Sequence, residues 1–275
     1  MENKVFVINV DSKTARMERM RAVLQELSLP IERIRALTPD ELPVKYSFSP
    51  IFNRSLSVPE LSCFYSHMEA WGKIANGCAP FALVLEDDVV LSPKVVPFLE
   101  NLKQLTLNFD IIRLEHPQKG ETFLTDKIEE IGGFEVGHLL SKAMCAAALV
   151  ISKEGARKLL QLSKPVLPID ELLFNYYSPI FSQLNIFQTV DVLAWQLDNF
   201  DLSIPEKLES SILESRRKSK RKKSVLVGFK KLTLKLHYLL KLREYEYRAV
   251  PIRVTEKESL RRKEMNRLDK SNDFI

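Results

Sequence analysis

The sequence predicts an α/β protein in which short buried strands alternate with amphipathic helices. Lys4-Val5-Phe6-Val7-Ile8-Asn9-Val10 is a short apolar run of buried-strand type, and a helical pattern follows it. Leu83-Val84-Leu85-Glu86-Asp87-Asp88-Val89-Val90-Leu91 is a second such run, preceded by a capped helical segment and interrupted by three consecutive carboxylates. Ala146-Ala147-Ala148-Leu149-Val150-Ile151 is a third, again leading into a helix. Alternation of this kind builds a sheet with helices on its faces.

After the first strand and Asp11-Ser12, Met17, Met20, Val23, Leu24 and Leu27 repeat at helical spacing. Ser57-Val58-Pro59-Glu60 has the spacing of a capping box with proline near the first turn. The helix it opens runs through Leu61-Ser62-Cys63-Phe64-Tyr65-Ser66-His67-Met68-Glu69-Ala70-Trp71 towards Asn76-Gly77 and delivers the chain to the acidic strand. Lys119 to Phe123 reads as a mobile loop, and Lys127 to Val136 as a hairpin turning at Gly132-Gly133. After the third strand, Ser152 is the N-cap of a helix through Leu160. Pro165-Val166-Leu167-Pro168-Ile169-Asp170-Glu171 then sets two acids behind a proline-bounded apolar stretch.

An apolar strand carries three acids in a row only with compensating partners, because burying unpaired charge costs several kcal/mol. One solution is a strand that ends at a cleft, where its acids hold a divalent cation; in open α/β sheets ligands sit at the carboxyl ends of strands. Hard oxygen ligands suit Mg²⁺ or Mn²⁺. The other solution is an acidic turn held by a helix N-terminus or a lysine.

The ordered segments Val7-Ile8-Asn9-Val10-Asp11 with Arg16, Glu60-Leu61-Ser62-Cys63-Phe64-Tyr65-Ser66-His67, Leu85-Glu86-Asp87-Asp88-Val89, Ala148-Leu149-Val150-Ile151-Ser152 through Gly155-Ala156, and Ile169-Asp170 resemble glycosyltransferase family 25. The resemblance spans roughly residues 4–215. It implies a GT-A-like, Rossmann-type mixed sheet flanked by helices, a nucleotide-sugar donor, a divalent metal and inversion at the anomeric carbon. It makes Asp88 the metal ligand, with Glu86 supporting the metal shell, and sets Asp87 against the nucleotide's ribose or base. Strand alternation puts Glu86 and Asp88 on one face and Asp87 on the other. Asn9 and Arg16 are candidate base and phosphate contacts, and Ser66 and His67 candidate donor-pocket residues. Inversion needs a general base; Asp170 is the first choice and Glu171 the fallback, with capping of a helix starting at Glu171 as the structural alternative for Asp170. A histidine among apolar neighbours is often a hydrogen-bonded core residue, and the capping box alone explains Glu60. Gln196 and His116 are weaker candidates at strand ends.

Composition fits one large α/β domain with an appendage. Neither G-x-G-x-x-G nor the P-loop pattern occurs, so a nucleotide would be held through metal and side chains. Cys63, Cys78 and Cys145 form no zinc spacing and no disulfide framework, which points to a reducing, cytoplasmic setting. With the first strand so near Met1, no secretory signal is expected, and no apolar run approaches the ~20 residues of a spanning helix.

Charge is unevenly distributed. Residues 216–275 hold 20 Lys and Arg against 7 Asp and Glu, while residues 1–215 hold 21 against 29. The expected organisation is therefore a catalytic domain over 1–215 and a basic helical extension over 216–275. The extension opens on Arg216-Arg217-Lys218-Ser219-Lys220-Arg221-Lys222-Lys223. Val225, Phe229, Leu232, Leu236, Leu239 and Leu240 follow at helical spacing among lysines. A basic amphipathic helix of this kind reads as an anchor to an anionic membrane surface through residues 216–243; packing on the catalytic domain is the plain alternative. Nucleic-acid binding is not expected, because aromatic residues interleaved with bases are few. Residues 256–275 are poor in apolar residues and are expected to fray.

These readings converge on a peripheral inverting hexosyltransferase at the inner face of the cytoplasmic membrane, acting on a lipid-linked oligosaccharide of lipooligosaccharide type. By resemblance the donor is UDP-galactose, with UDP-glucose next. Competing readings are a metal-dependent nucleotidyltransferase using the same acids and a non-catalytic protein of the same fold.

Overall fold

A computed structural model describes residues 3–104, 107–116, 122–197, 225–254, 260 and 264. The chain runs through β1 (Val5–Asn9), α1 (Thr14–Glu26), β2 (Glu32–Arg35), β3 (Phe48–Ser49), β4 (Arg54–Ser55), α2 (Val58–Asn76), β5 (Phe81–Glu86), β6 (Val89–Leu91) and α3 (Val95–Leu102). It continues through β7 (Ile111–Arg113), β8 (Thr122–Thr125), β9 (Ile128–Ile131), β10 (Phe134–His138), β11 (Ala148–Ser152), α4 (Lys153–Leu162) and α5 (Ile169–Phe174). A 3-10 turn, β12 (Ile186–Thr189), β13 (Ala194–Gln196), α6 (Val225–Leu242) and β14 (Arg248–Pro251) complete it.

Eight strands form one mixed sheet in the order β2-β1-β5-β11-β7-β12-β10-β9, with helices on its faces. β1 is parallel to both β2 and β5, whereas β11 is antiparallel to β5 and β7. Side chains alternate between two cores, as the pleat requires. Phe6, Ile8, Ala82 and Val84 pack on one side with Phe64, Trp71 and Ile74 of α2. Val5, Val7, Leu83 and Leu85 pack on the other with Met17, Met20 and Leu24 of α1 and Phe98 of α3. Each fully buried side chain of this size contributes roughly 1.5–3 kcal/mol.

The local signals act where expected. Ser57 and Glu60 form the capping box of α2, and Ser152 Oγ accepts from the Gly155 amide 2.9 Å away. Gly132 and Gly133, with φ of 54° and 85°, turn the β9–β10 hairpin.

Several expectations need correction. The acidic run is not one strand: β5 stops at Glu86, Asp87 and Asp88 form a turn, and β6 leaves to pair with β13. Thr122 and Phe123 belong to β8, paired with β14, rather than to a loop; residues 117–121 lie outside the description. Asp170 does not cap α5, which starts at Ile169, two residues earlier than expected, with Pro168 at the cap position. The expected fraying of 256–275 does not apply to Leu260 and Glu264, which are buried. The polybasic run 216–223 also lies outside the described residues.

Helix α6 forms as expected and has two apolar faces. Tyr238 stacks on Tyr176 at 4.8 Å and donates its hydroxyl to the Leu140 carbonyl, while the Lys231 ammonium sits 4.9 Å from the centre of the Phe52 ring. Leu232, Leu236, Leu239 and Leu240 lie along the outer side and are 43–59% exposed. Among the described residues no helix is long and apolar enough to cross a membrane.

Candidate functional site

The chain leaves β1 through α1 to reach β2 on one side, and arrives through α2 at β5 on the other. The connections diverge between β1 and β5, which is where open α/β sheets hold ligands at the carboxyl ends of their strands. Ile8 is paired with Glu86, so Asn9 and the acidic turn emerge side by side.

Pleat alternation then divides the three acids. Glu86 continues the row of Ala82 and Val84 and faces α2; Asp87 continues the row of Leu83 and Leu85 and faces α1. Asp88 sits in the turn and does not return to the face of Glu86. Its Oδ2 lies 3.4 Å from Arg16 Nη1, and Asp87 Oδ1 lies 2.7 Å from the same nitrogen. Asn9 Nδ2 donates to Asp87 Oδ2 at 2.7 Å. Both aspartates and Arg16 are buried, so α1 brings a buried cation to a buried acid pair. These residues, with Ser62, Cys63 and Ser66, line a cleft of about 90 Å³.

Two arginines that the sequence reading missed hold this arrangement. Arg33 Nε donates to Asn9 Oδ1 at 2.9 Å, which leaves the Asn9 amide nitrogen turned to Asp87. Arg19 Nη2 donates to the carbonyls of Asp87 and Val89, at 3.2 and 2.7 Å, and its Nη1 pairs with buried Glu264 at 2.7 Å. The signal was present: Arg16 and Arg19 lie on the same stripe of α1 as Met17, Met20 and Val23. The residues after α6 thus reach the back of the acidic turn.

On the other face, Glu86 Oε1 is 3.5 Å from both Cys63 Sγ and His67 Nε2. Burial acts to raise the Glu86 carboxyl, but His67, Cys63 and Arg16 together hold it below the usual carboxylate range. Ser66 Oγ donates to the Ser62 carbonyl at 2.7 Å. Glu60 is held by its capping box and by both terminal nitrogens of Arg54 at 2.7 Å, which accounts for it structurally. Gln196 is paired with Val89, and the neighbouring Leu197 amide donates to the Asp88 carbonyl at 2.9 Å.

Glu171 accepts from Tyr177 at 2.5 Å and from Lys142 at 3.3 Å, and also from Asn175. It ties α5 to the segment that follows, which weakens its standing as the fallback base. Asp170 lies near Cys145: burial pushes the Cys145 thiol up, and Glu115, Asp170 and Glu86 all add to the effect. One thiol therefore feels the carboxylates of both the acidic strand and α5.

Glu115, beside the buried candidate His116, is a second omission. Its Oε1 accepts from the amides of Ala147 and Ala148, and burial pushes its carboxyl up to about 8, with Arg113 opposing. A carboxyl raised above its ordinary 4.5 stabilises the fold fully below that value, and the contribution is lost as pH rises towards about 8. Glu115→Gln keeps an acceptor for both amides and cannot ionise. Its stability relative to the unsubstituted protein is expected to improve by on the order of 3 kcal/mol between about pH 5 and 8. Urea unfolding across that range checks this; a constant difference would contradict a proton on Glu115.

A hard divalent cation needs one or two carboxylates together with phosphate oxygens and water. Asp88 suits it: its carboxylate lines the cleft, and with Asp87 it converges on one cationic nitrogen. Glu86, expected beside Asp88, turns to α2 instead.

Residues 2–173 match the family model described as glycosyltransferase family 25 (LPS biosynthesis protein). The chain belongs to glycosyltransferase family 25. The lipooligosaccharide biosynthesis protein lic2B of Haemophilus influenzae is 27% identical over 238 residues, covering 81% of this family 25 chain and 89% of the relative. Procollagen galactosyltransferase 1-B of Xenopus laevis is 28% identical over 217 residues, covering 71% of this chain and 35% of its own, so the chain spans about a third of that relative. An inactive glycosyltransferase 25 family member 3 of Homo sapiens is 30% identical over 62% of this chain and 31% of its own. Among solved structures, the inositol-1-phosphate CTP transferase from T. maritima aligns over 78% of this chain and 76% of its own, at 13% identity and a TM-score of 0.36. Asn9, Arg16, Ser66, His67, Glu86, Asp87, Asp88 and Asp170 all fall within the span matched by the family model.

Proposed function

We propose that the chain is an inverting, metal-dependent hexosyltransferase that moves galactose from UDP-galactose onto a lipid-linked oligosaccharide of lipooligosaccharide type. The observation that carries this reading is the buried Asn9–Asp87–Arg16–Asp88 chain at the divergence of β1 and β5, within a family 25 chain. The galactosyltransferase name of one relative and the lipooligosaccharide name of another support the donor and the acceptor.

In this reading Asp87 and Asn9 meet the nucleoside, and Arg16 offers its forked donors to the diphosphate. Asp88 would hold the Mn²⁺ or Mg²⁺, which when bound neutralises the departing nucleoside diphosphate. Asp170 removes the proton from the acceptor hydroxyl as it attacks the anomeric carbon. Ser66 lines the same cleft.

Calorimetric titration with UDP, UDP-galactose and UDP-glucose, with Mn²⁺ and then with EDTA, tests the reading. The expected result is Mn²⁺-dependent UDP binding with a preference for the galactose donor. Absence of binding to all three, with pyrophosphate rather than nucleoside diphosphate released in turnover, would make the protein a nucleotidyltransferase.

The exposed leucine stripe of α6 is read as the contact with an anionic membrane at the cytoplasmic face. Deleting the whole extension would not test this cleanly, because β14 and Glu264 belong to the fold. Leu236→Asp with Leu240→Asp alters only exposed positions. Since burying one leucine contributes about 1.5–3 kcal/mol, partition to anionic vesicles is expected to fall by about tenfold or more. Turnover on a soluble acceptor should not change. Undiminished vesicle binding in a sedimentation assay would remove α6 from the contact.

A further inference from the structure

We propose that Cys63, His67 and Glu86 form a second cation site, selective for a borderline-soft divalent ion of the zinc class and separate from the acid pair on Arg16. Cys63 and His67 stand one helical turn apart on α2, and Glu86 reaches them from the end of β5. Their sulfur, ring-nitrogen and carboxylate-oxygen atoms all lie within 4.8 Å of one another, the only such trio among the described residues.

The spacing suits tetrahedral coordination. Zinc bonds of about 2.3 Å to sulfur and about 2.0–2.1 Å to nitrogen and oxygen put neighbouring ligand atoms roughly 3.3–3.6 Å apart. Both contacts to Glu86 Oε1 are 3.5 Å. The remaining edge, from Cys63 to His67, is at most 4.8 Å, and closing it takes a shift of no more than about 1.3 Å.

An independent observation points to a ligand at this trio. His67 is fully buried, and neither of its ring nitrogens has a hydrogen-bond partner among the described residues. Its Nε2 lies 3.5 Å from Glu86 Oε1, outside hydrogen-bond geometry. A proton shared between Cys63 and Glu86 would satisfy those two groups and leave the imidazole unmet; a metal ion meets all three. The ligand types set the preference: thiolate and imidazole favour zinc over Mg²⁺ or Mn²⁺. Cys63 and Glu86 also line the cleft, which leaves the fourth position on that side for water or a ligand oxygen.

The test uses the full chain stripped with a chelator, with metal ions alone and no nucleotide, so its outcome does not depend on the sugar-transfer reading. Zn²⁺ titrated against a chromogenic chelator should bind at one equivalent. Co²⁺ in its place should give a tetrahedral spectrum with a thiolate charge-transfer band. Cys63→Ser, nearly isosteric, should abolish that band and weaken Zn²⁺ binding by about a hundredfold, while Asp88→Asn leaves both unchanged. Binding of less than one equivalent, a Co²⁺ spectrum without the thiolate band, or Cys63→Ser binding as the unsubstituted chain does would each overturn the site. Circular dichroism of Cys63→Ser confirms that it is folded, and Glu86→Gln provides a second weakened variant.

Discussion

Asp170→Asn is expected to lower turnover by about 10²–10⁴-fold, the usual contribution of a positioned general base, with donor affinity unchanged. The substitution keeps the size of the side chain and removes its ability to take a proton. The helix-capping alternative predicted a mild loss of stability instead, but Pro168 holds the cap position and Asp170 lies inside the first turn. The adjacent acid is an internal control. Glu171 is engaged by Tyr177, Lys142 and Asn175, so Glu171→Gln should lower stability through those contacts more than it lowers turnover. Single-turnover kinetics, with UDP affinity measured separately, distinguish the two effects. Turnover of Asp170→Asn within a fewfold of the unsubstituted enzyme would move the base elsewhere, and Glu115, with its raised carboxyl, would be the next residue to test.

The elements that build the cleft were legible because their signals are local. A five-residue apolar run, a capping box and a Ser152 cap depend on neighbours in sequence, and β1, α2, β11 and α4 formed on them. The acids at 86–88 were legible as a candidate site because three carboxylates beside buried strands demand partners. Their partners were less so. Which face each acid takes depends on where β5 stops, and the departure of β6 to pair with β13 sets that point through a contact about a hundred residues away in sequence. The apolar-stripe positions of Arg16 and Arg19 were visible, but an arginine there reads as solvent-facing until the acid it meets is known. Glu264 sits 245 positions beyond Arg19, and nothing local announces a buried acid in a charged tail. The His67 environment was undetermined for the same reason: its neighbour Cys63 is local, and the third member, Glu86, comes from the next strand.

Arg16→Met should destabilise the fold by about 3–5 kcal/mol, the usual result when one partner of a buried ion pair is removed and its counter-charge stays behind. The methionine occupies similar volume, so the loss reports charge more than packing. Asp87 and Asp88 are 5% and 6% exposed and both approach Arg16 Nη1, so the variant retains two buried carboxylates and loses the guanidinium they share. Arg19 does not replace it, because its guanidinium already meets backbone carbonyls and Glu264. Arg16→Lys restores the charge without the planar fork and should recover part of the loss. A double-mutant cycle with Asp87→Asn isolates the pair: Asp87→Asn in the Arg16→Met background should be stabilising relative to Arg16→Met alone, since it deletes an uncompensated charge while Asn9 can still meet the side chain. Additive losses in urea unfolding would mean that the two residues act independently and that the Arg16–Asp87 contact contributes nothing to holding the acidic turn. The same charge balance bears on the proposed function, because a guanidinium that neutralises the acid pair in the fold must be given an anion of equal worth before it leaves, and in that reading a nucleoside diphosphate with a divalent cation would supply both the anion for Arg16 and the cation for Asp88.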